Sequence, residues 1–222
     1  MIRPKPRKNK LEDVVDKAYT EDELIYITQC LEKEPLQCQA FIRLLIDTGM
    51  RCGECCALRW KDIDFKNKRI TINGTMRYTK ERGLYRDSPK NGHSRTVSID
   101  ASVIVLLHQL RSKQAKNVFK GYLFTQAQSA APIYPSTASR YLARFGKRYN
   151  LPGIHPHKLR HSFASVAIER GADVASVAGV LGHMDKTITL RTYTHANQNG
   201  IDRAGDIFRE ALQAKEEKQD AR

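Results

Sequence analysis

The sequence predicts an α+β domain, mainly α, in which one small antiparallel sheet of three strands follows the third helix. Three observations lead to this prediction. Apolar residues recur at helical spacing before residue 60, short stretches of alternating β-branched residues follow, and helical spacing returns after Asp100. The chain has 222 residues, which suffices for one good-sized hydrophobic core.

The helices before the sheet have recognisable start and stop signals. Thr20 and Glu23 form a capping-box sequence, so the first helix is expected to begin directly after Thr20. A second helix is predicted over residues 36–47, where Gly49 supplies a left-handed C-terminal turn. A short third helix is predicted over residues 53–59.

The sheet and the later helices follow from alternation, turn sequences and capping residues. Asn91-Gly92 is typical of a hairpin turn, and Asp100 and Ser136 are predicted to cap the helices that follow them. The strands predicted from alternation are residues 69–73, 77–79 and 96–99. The helices predicted after the sheet are residues 103–114, 137–149, 157–170, 173–181 and 201–215.

The charge of the chain favours a polyanionic partner. There are 38 Lys and Arg residues against 24 Asp and Glu, which gives a net charge of +14. The first ten residues contain five of these cations, so residues 1–18 are interpreted as a basic linker. The folded domain is expected over residues 19–206, and a helix end with a charged tail over 207–222. Charge alone also fits ribosomal and chromatin proteins.

The five cysteines are expected to be reduced thiols of a cytoplasmic protein. Their number is odd, no secretory leader pattern opens the chain, and no apolar run reaches the roughly 20 residues needed to span a membrane. Three of them are Cys52, Cys55 and Cys56. We interpret this cluster as core packing and not as a metal site, because no second pair has zinc-site spacing.

The first motif with chemical potential surrounds Arg51. Arg51 follows the helix-ending Gly49 and stands at the start of the next predicted helix, where backbone N–H groups can also bind an anion. Glu54 lies three residues further on the same face and can orient the arginine. The alternative is an ordinary Arg–Glu pair on a helix surface.

The second motif surrounds Arg160. His157, Arg160 and His161 have i, i+3, i+4 spacing, so they project from one helix face and combine a fixed positive fork with groups that exchange protons near neutral pH. A solvated basic face is one alternative. A metal site that includes His155 is another, and it is disfavoured because only His157 and His161 share a face and no carboxylate supports them.

Two further elements are weak signals on their own. Leu181-Gly182-His183 is followed ten residues later by Tyr193, and most tyrosines are packing residues. Lys90 precedes the predicted Asn91-Gly92 turn, and a lysine at such a position is usually solubilising. All these elements occur in a fixed order along the chain: Arg51, Lys90, the second motif, Leu181-Gly182-His183 and Tyr193. In combination they are a stronger signal than each is alone.

This ordered set resembles the catalytic domain of the tyrosine recombinase family, which includes the integrases of phages and conjugative transposons. The family's T-G-x-R-x-x-E-x-x-x-L-x-W run matches residues 48–60, and its H-x-L-R-H-[ST]-F-A run matches 157–164. Its L-G-H…Y-T-H run matches 181–195, and the resemblance extends over residues 19–206. It implies the fold of the DNA breaking-rejoining enzymes.

The resemblance also implies a role for each matching residue. Tyr193 would attack the scissile phosphate and form a 3′-phosphotyrosyl intermediate, while Lys90 would protonate the 5′ leaving oxygen. Arginine suits a phosphate clamp because its planar donor fork matches two phosphate oxygens and stays charged. The remaining implied roles are Arg51 and Arg160 as the clamp, His157 as general acid or base, His183 as hydrogen-bond donor, and Glu54 and His161 as supporting residues.

The resemblance further implies a site-specific recombinase for DNA integration or excision of a mobile element. The expected partners are a double-stranded DNA attachment site, three further copies of a chain that is monomeric alone, and accessory excision or DNA-bending proteins. No metal, nucleotide or membrane is expected, and the enzyme would work on the bacterial nucleoid. The family's N-terminal core-binding domain is expected to be absent from this chain. A type IB topoisomerase and a non-catalytic DNA-binding protein are the competing interpretations.

Overall fold

The computed structural model describes residues 18–89, 92–114, 121–127, 129–151 and 153–182. Three of the predicted site residues, Lys90, His183 and Tyr193, lie outside the described residues. The same holds for Asn91, for the expected linker up to residue 17 and for the predicted helix at 201–215.

The two N-terminal helices form where the sequence predicts them. Helix α1 is Glu21–Leu31, and its capping box is complete because the backbone N–H of Glu23 donates to the Thr20 hydroxyl while the Glu23 carboxylate accepts from the Thr20 backbone. Helix α2 is Leu36–Thr48 and ends at Gly49, whose φ of 59° is left-handed.

The third helix is shorter than predicted. Helix α3 is Cys52–Cys56, and the next three residues leave the helical path before a 3-10 turn at Trp60–Asp62. This happens because the backbone of this segment pairs with a distant one: Leu58 accepts from Leu123 at 3.0 Å and Trp60 donates to Gly121 at 2.7 Å. A tertiary contact thus ends the helix early.

Within the described residues, five strands form two antiparallel sheets. The three-stranded sheet has the order β1-β2-β5, and the other two strands, β3 and β4, form a separate hairpin. The bounds are Ile63–Asp64 for β1, Arg69–Ile72 for β2, Thr75–Thr79 for β3, Gly83–Asp87 for β4 and Arg95–Ser98 for β5. A row of buried side chains, Ile63, Ile70 and Val97, crosses the three-stranded sheet.

The predicted three-stranded sheet is therefore confirmed, but the assignment of 77–79 to it is wrong. Those residues pair with β4, a strand whose sequence lacks apolar alternation. The hairpin prediction at Asn91-Gly92 is also wrong, because the strands on either side of it, β4 and β5, belong to different sheets. The tight turn lies instead at residues 80–82, between β3 and β4.

In the part of the chain that the structure describes, four helices follow the sheets: α4 is Ala101–Gln114, α5 is Pro135–Arg148, α6 is Pro156–Glu169 and α7 is Val174–Leu181. Asp100 accepts from the Ser102 backbone, as its predicted capping role requires. The cap predicted at Ser136 is wrong. Helix α5 begins at Pro135, two residues earlier than predicted, because the fixed φ of proline suits the first helical position.

The main hydrophobic core lies between the three-stranded sheet and helices α1 to α5. Its largest fully buried side chains include Phe41 and Phe124, whose rings meet edge to face at 5.0 Å. Cys55 and Cys56 are fully buried in this core, which confirms their predicted packing role. A smaller cluster joins α6 to α7. No helix within the described ranges is long and apolar enough to cross a membrane.

Candidate active site

The turn between α2 and α3 brings the first two motifs into contact. A Cβ atom at Gly49 would lie 2.7 Å from Phe163 of α6 and 2.8 Å from Leu181 of α7, and its left-handed backbone also disfavours a side chain. Glycine therefore lets both helices pack closely against the turn that leads into Arg51.

Arg51 is held by the beginning of its own helix. The Glu54 carboxylate accepts from the Arg51 backbone N–H at 2.9 Å and from Nη1 of its guanidinium at 3.0 Å. The Arg51 side chain is 28% exposed and that of Glu54 only 1%. The expected contact is present, and the alternative of a surface pair is wrong, because the carboxylate lies in the protein interior.

A second arginine, which the sequence analysis missed, also binds Glu54. Arg95 at the start of β5 donates from Nη1 and Nη2 to the two carboxylate oxygens at 3.1 and 2.7 Å, and from Nε to the Val180 carbonyl at 2.6 Å. The sequence did contain a signal for Arg95. It lies two residues before Val97 on the same strand, so both side chains face the protein interior, and an arginine that faces the interior needs hydrogen-bond acceptors there.

Glu54 is ionised in this environment. Burial of the carboxyl works to raise its pKa, but the hydrogen bonds and positive charges of Arg95 and Arg51 outweigh burial and lower the pKa below its usual range. The result is one buried negative charge between two arginines.

Arg160 connects α6 to the turn before Arg51 and to the end of α7. It is 7% exposed, and its guanidinium donates from Nη1 to the Gly49 carbonyl at 2.8 Å and from Nη2 to the Leu181 carbonyl at 2.9 Å. One side chain of α6 thus ties the turn before Arg51 to the C-terminal end of α7. The three sequence motifs, which are far apart along the chain, meet at this guanidinium.

The histidines lie at the start of α6, around Arg160. His155 is the N-cap, and its Nδ1 accepts from the Lys158 backbone at 3.2 Å, while His157 and His161 are exposed. Burial lowers the pKa of His157, as do the positive charges of neighbours that include His155, Arg160 and Arg51. These effects favour the neutral form of the His157 imidazole.

The structure thus assembles five of the eight predicted site residues. Arg51, Glu54, His157, Arg160 and His161 lie around the junction of α3, α6 and α7. Within the part of the chain that the structure describes, no group of three or more His, Cys, Asp or Glu side chains is arranged to hold a metal ion.

Comparisons with known proteins agree with the fold and the motifs. The model of the phage integrase family matches residues 17–199, so the chain belongs to the phage integrase family. The tyrosine recombinase XerC-like protein of Caldanaerobacter subterraneus subsp. tengcongensis is 28% identical, over 94% of this chain and 58% of its own length. Tyrosine recombinase XerA of Pyrococcus furiosus is 26% identical, over 89% and 64%.

A solved structure gives the same fold. The Tn1549 transposon integrase, in complex with circular intermediate DNA, superposes with a TM-score of 0.78 at 22% identity, over 89% of this chain and 68% of that one. The chain spans about three fifths of the length of the two recombinases it matches. The family match therefore establishes the family of this chain, and the solved integrase has the same fold.

Proposed function

We propose that this chain is the catalytic domain of a site-specific DNA recombinase that cuts and rejoins strands through a covalent tyrosyl intermediate. The observation that carries the proposal is the junction at which Arg160 contacts both the Gly49 turn before Arg51 and the end of α7. This junction brings together Arg51, Arg160 and His157, whose neutral form is favoured. Strand cleavage at a phosphate requires such groups, because its negative charge must be neutralised and a proton must be transferred.

The proposed reaction uses only groups of this chain. The Tyr193 oxygen attacks phosphorus, the bond from phosphorus to the 5′ oxygen breaks, and Lys90 gives that oxygen a proton. A phenol has a pKa of about 10, so a nearby base must take its proton, and His157 suits this role. Rejoining is the reverse: a 5′ hydroxyl attacks the phosphotyrosyl bond and frees the tyrosine.

Arg51 and Arg160 are proposed to hold the non-bridging oxygens. Both are pre-positioned by protein acceptors, so little reorganisation is needed when charge builds up on the phosphate. Glu54 orients Arg51. His183 is proposed to donate a further hydrogen bond to the phosphate, and His161 to support the α6 face.

DNA is proposed to run along α5 as it leaves this site. Arg140, Arg144 and Lys147 are exposed on one face of α5 at i, i+4, i+7 spacing, and the helix contains no acidic residue. Its start lies beside α3, because the Cys52 thiol contacts the Pro135 carbonyl at 3.7 Å. The complex of the Tn1549 integrase with circular intermediate DNA supports a DNA partner.

The remaining assignments are proposals about the whole protein. We place the catalytic domain at residues 19–206, a basic linker before it, and a helix end and charged tail after it. Exchange between two duplexes breaks four strands in total, and each chain offers one Tyr193, so four copies are expected on DNA. The proposed setting is the bacterial nucleoid, with accessory excision or DNA-bending proteins.

Covalent trapping tests the proposal. The protein is incubated with a pool of nicked duplexes of random sequence around the nick, and SDS-stable adducts are isolated and sequenced. Wild type is expected to form an adduct that carries a 3′-phosphate on tyrosine, and Tyr193→Phe none. An adduct that persists in Tyr193→Phe would contradict the nucleophile assignment.

Three controls test the metal-free mechanism and separate the competing functions. Adduct formation should be unchanged in EDTA, because the proposed chemistry uses no metal ion, and loss of the adduct in EDTA would overturn that mechanism. Gel shifts without any adduct would indicate a binding protein. Relaxation of a supercoiled plasmid that lacks the selected sequence would indicate a topoisomerase.

A further inference from the structure

We propose that Arg95 is a positioning residue for DNA cleavage, which holds Arg51 through Glu54 and fixes the end of α7 with the same guanidinium. This inference rests on the proposed recombinase function and extends it to a residue outside the matching motifs. Arg95 belongs to β5, 41 residues after Glu54 and 85 before Val180, yet it contacts both.

The first argument is the saturation of the Glu54 carboxylate. Each oxygen accepts two hydrogen bonds: Oε1 from Nη1 of Arg51 and Nη1 of Arg95, and Oε2 from the Arg51 backbone and Nη2 of Arg95. A carboxylate offers about four acceptor positions. Glu54 therefore cannot rotate without breaking the two parallel bonds to Arg95, and this fixes the acceptor that orients Arg51.

The second argument is charge. A single Arg51–Glu54 pair would have no net charge and would attract a phosphate weakly. Arg95 adds a second positive charge, so the three groups together carry +1. Arg95 is 13% exposed and Arg51 28%, so Arg51 is the more accessible of the two arginines to an anion.

The third argument concerns the end of α7. Nε of Arg95 donates to the Val180 carbonyl, and a Cβ atom at Gly182 would lie 2.9 Å from Nη1 of Arg95. The glycine of the Leu-Gly-His motif thus leaves room for this guanidinium. Through one side chain, the position of Arg51 is coupled to the helix end from which the chain continues towards His183 and Tyr193.

The experiment measures the rate of DNA cleavage by Arg95→Met at saturating DNA. The substrate is the duplex sequence isolated by covalent trapping, and it is used in two forms. One form is the natural phosphodiester. In the other, a methyl group replaces one non-bridging oxygen of the scissile phosphate, so the group is uncharged and depends less on Arg51. We expect cleavage of the natural form to fall about 10- to 100-fold, as misplaced catalytic groups do, with a DNA Kd within about 3-fold of wild type.

On the uncharged form, the defect of Arg95→Met should shrink to less than about 3-fold, since Arg51 contributes less there. Arg95→Lys keeps the charge but loses the paired bonds, so its rate should lie between those of wild type and Arg95→Met. The matched control is Arg170→Met, which removes an exposed arginine paired with Glu21 and should cleave as wild type. Equal defects on both substrates would overturn the proposal.

A measurement without DNA tests the positioning role of Arg95 independently of cleavage. In ¹⁵N-arginine NMR spectra of the free protein, the Nη protons of Arg51 should give separate signals because Glu54 restrains the guanidinium. These signals should collapse in Arg95→Met and persist in Arg170→Met. If they persist in folded Arg95→Met, the positioning role is wrong whatever the cleavage result. Failure of wild type to form any adduct would instead contradict the proposed function.

Discussion

Two sets of basic residues in this domain have the same chemistry but different surroundings. Arg160 is buried and Arg95 is largely buried at the junction of α3, α6 and α7, where carboxylate and carbonyl oxygens accept their hydrogen bonds. Arg140, Arg144 and Lys147 project from α5 into solvent. We refer to the first set, with Glu54, as the buried junction and to the second as the α5 stripe.

The difference shows how burial determines what a cation can do. A buried guanidinium without acceptors costs several kcal/mol, so those of the junction are fixed by protein groups and can determine geometry. The side chains of the α5 stripe remain hydrated, and each can adjust to a passing phosphate. The junction is therefore expected to govern stability and catalytic rate, and the stripe to govern affinity and its dependence on salt.

The largest effect on stability is expected from Glu54→Ala. The substitution leaves the largely buried Arg95 guanidinium without its carboxylate, so the free energy of unfolding should fall by about 3–5 kcal/mol. Urea titration measures this loss. Glu21→Ala, which removes the acid of an exposed pair with Arg170, should cost less than about 1 kcal/mol. Similar costs for both variants would contradict the distinction between buried and exposed pairs.

Arg160→Met should have the next largest effect. It removes the donors to the Gly49 and Leu181 carbonyls, and buried acceptors without donors should lower the free energy of unfolding by about 2–4 kcal/mol. Urea titration again provides the measurement, with Arg140→Met as the exposed counterpart. Adduct formation should also be lost in folded Arg160→Met, and wild-type cleavage would refute its proposed role.

The α5 stripe should affect binding and leave stability almost unchanged. Replacement of Arg140, Arg144 and Lys147 by Ala should reduce the slope of log affinity against log salt by about 2.7 if each contacts one phosphate. Fluorescence anisotropy with a duplex at several salt concentrations measures the slope.

The control for the stripe has the same loss of charge at scattered positions. Lys33, Lys66 and Lys113 are exposed on different elements, so their joint replacement by Ala should change the slope by about 1 or less. An equal change for both triple variants would show that only net charge matters and that α5 is not a DNA contact.

The smallest effect is expected from His157, at the start of α6 beside the buried junction. Its pKa is lowered in the folded protein, so between that value and the unfolded pKa of about 6.5 the unfolded chain binds more protons. Stability should therefore decrease as pH falls through this window. His157→Gln should weaken this dependence in urea titrations at pH 7.5 and 5.5, and an unchanged dependence would contradict it.

Local features of the site were predictable because their determinants are close in sequence. Glu54 lies three residues from Arg51, and helical spacing brings the two side chains together. The left-handed end of α2 likewise follows from Gly49 alone. Arg95 was missed because its partners lie 41 and 85 residues away, and no periodicity specifies which strand will present a charge to which helix end.

The strand pairing shows the same limit. Alternation predicted residues 69–73 and 96–99, which pair as β2 and β5, because their apolar faces are readable from every second residue. The alternation of 77–79 did not tell which strand would pair with it, and its partner β4 has no apolar face.

The sequence by itself thus determined the family, the helix caps and the composition of each motif, because these depend on residue type and short spacing. Only the tertiary structure decided that Arg160 joins the Gly49 turn to α7, that Glu54 is buried, and that Arg95 completes its coordination. Those outcomes depend on long-range packing, in which a buried charge must find acceptors wherever the fold brings them within hydrogen-bonding distance.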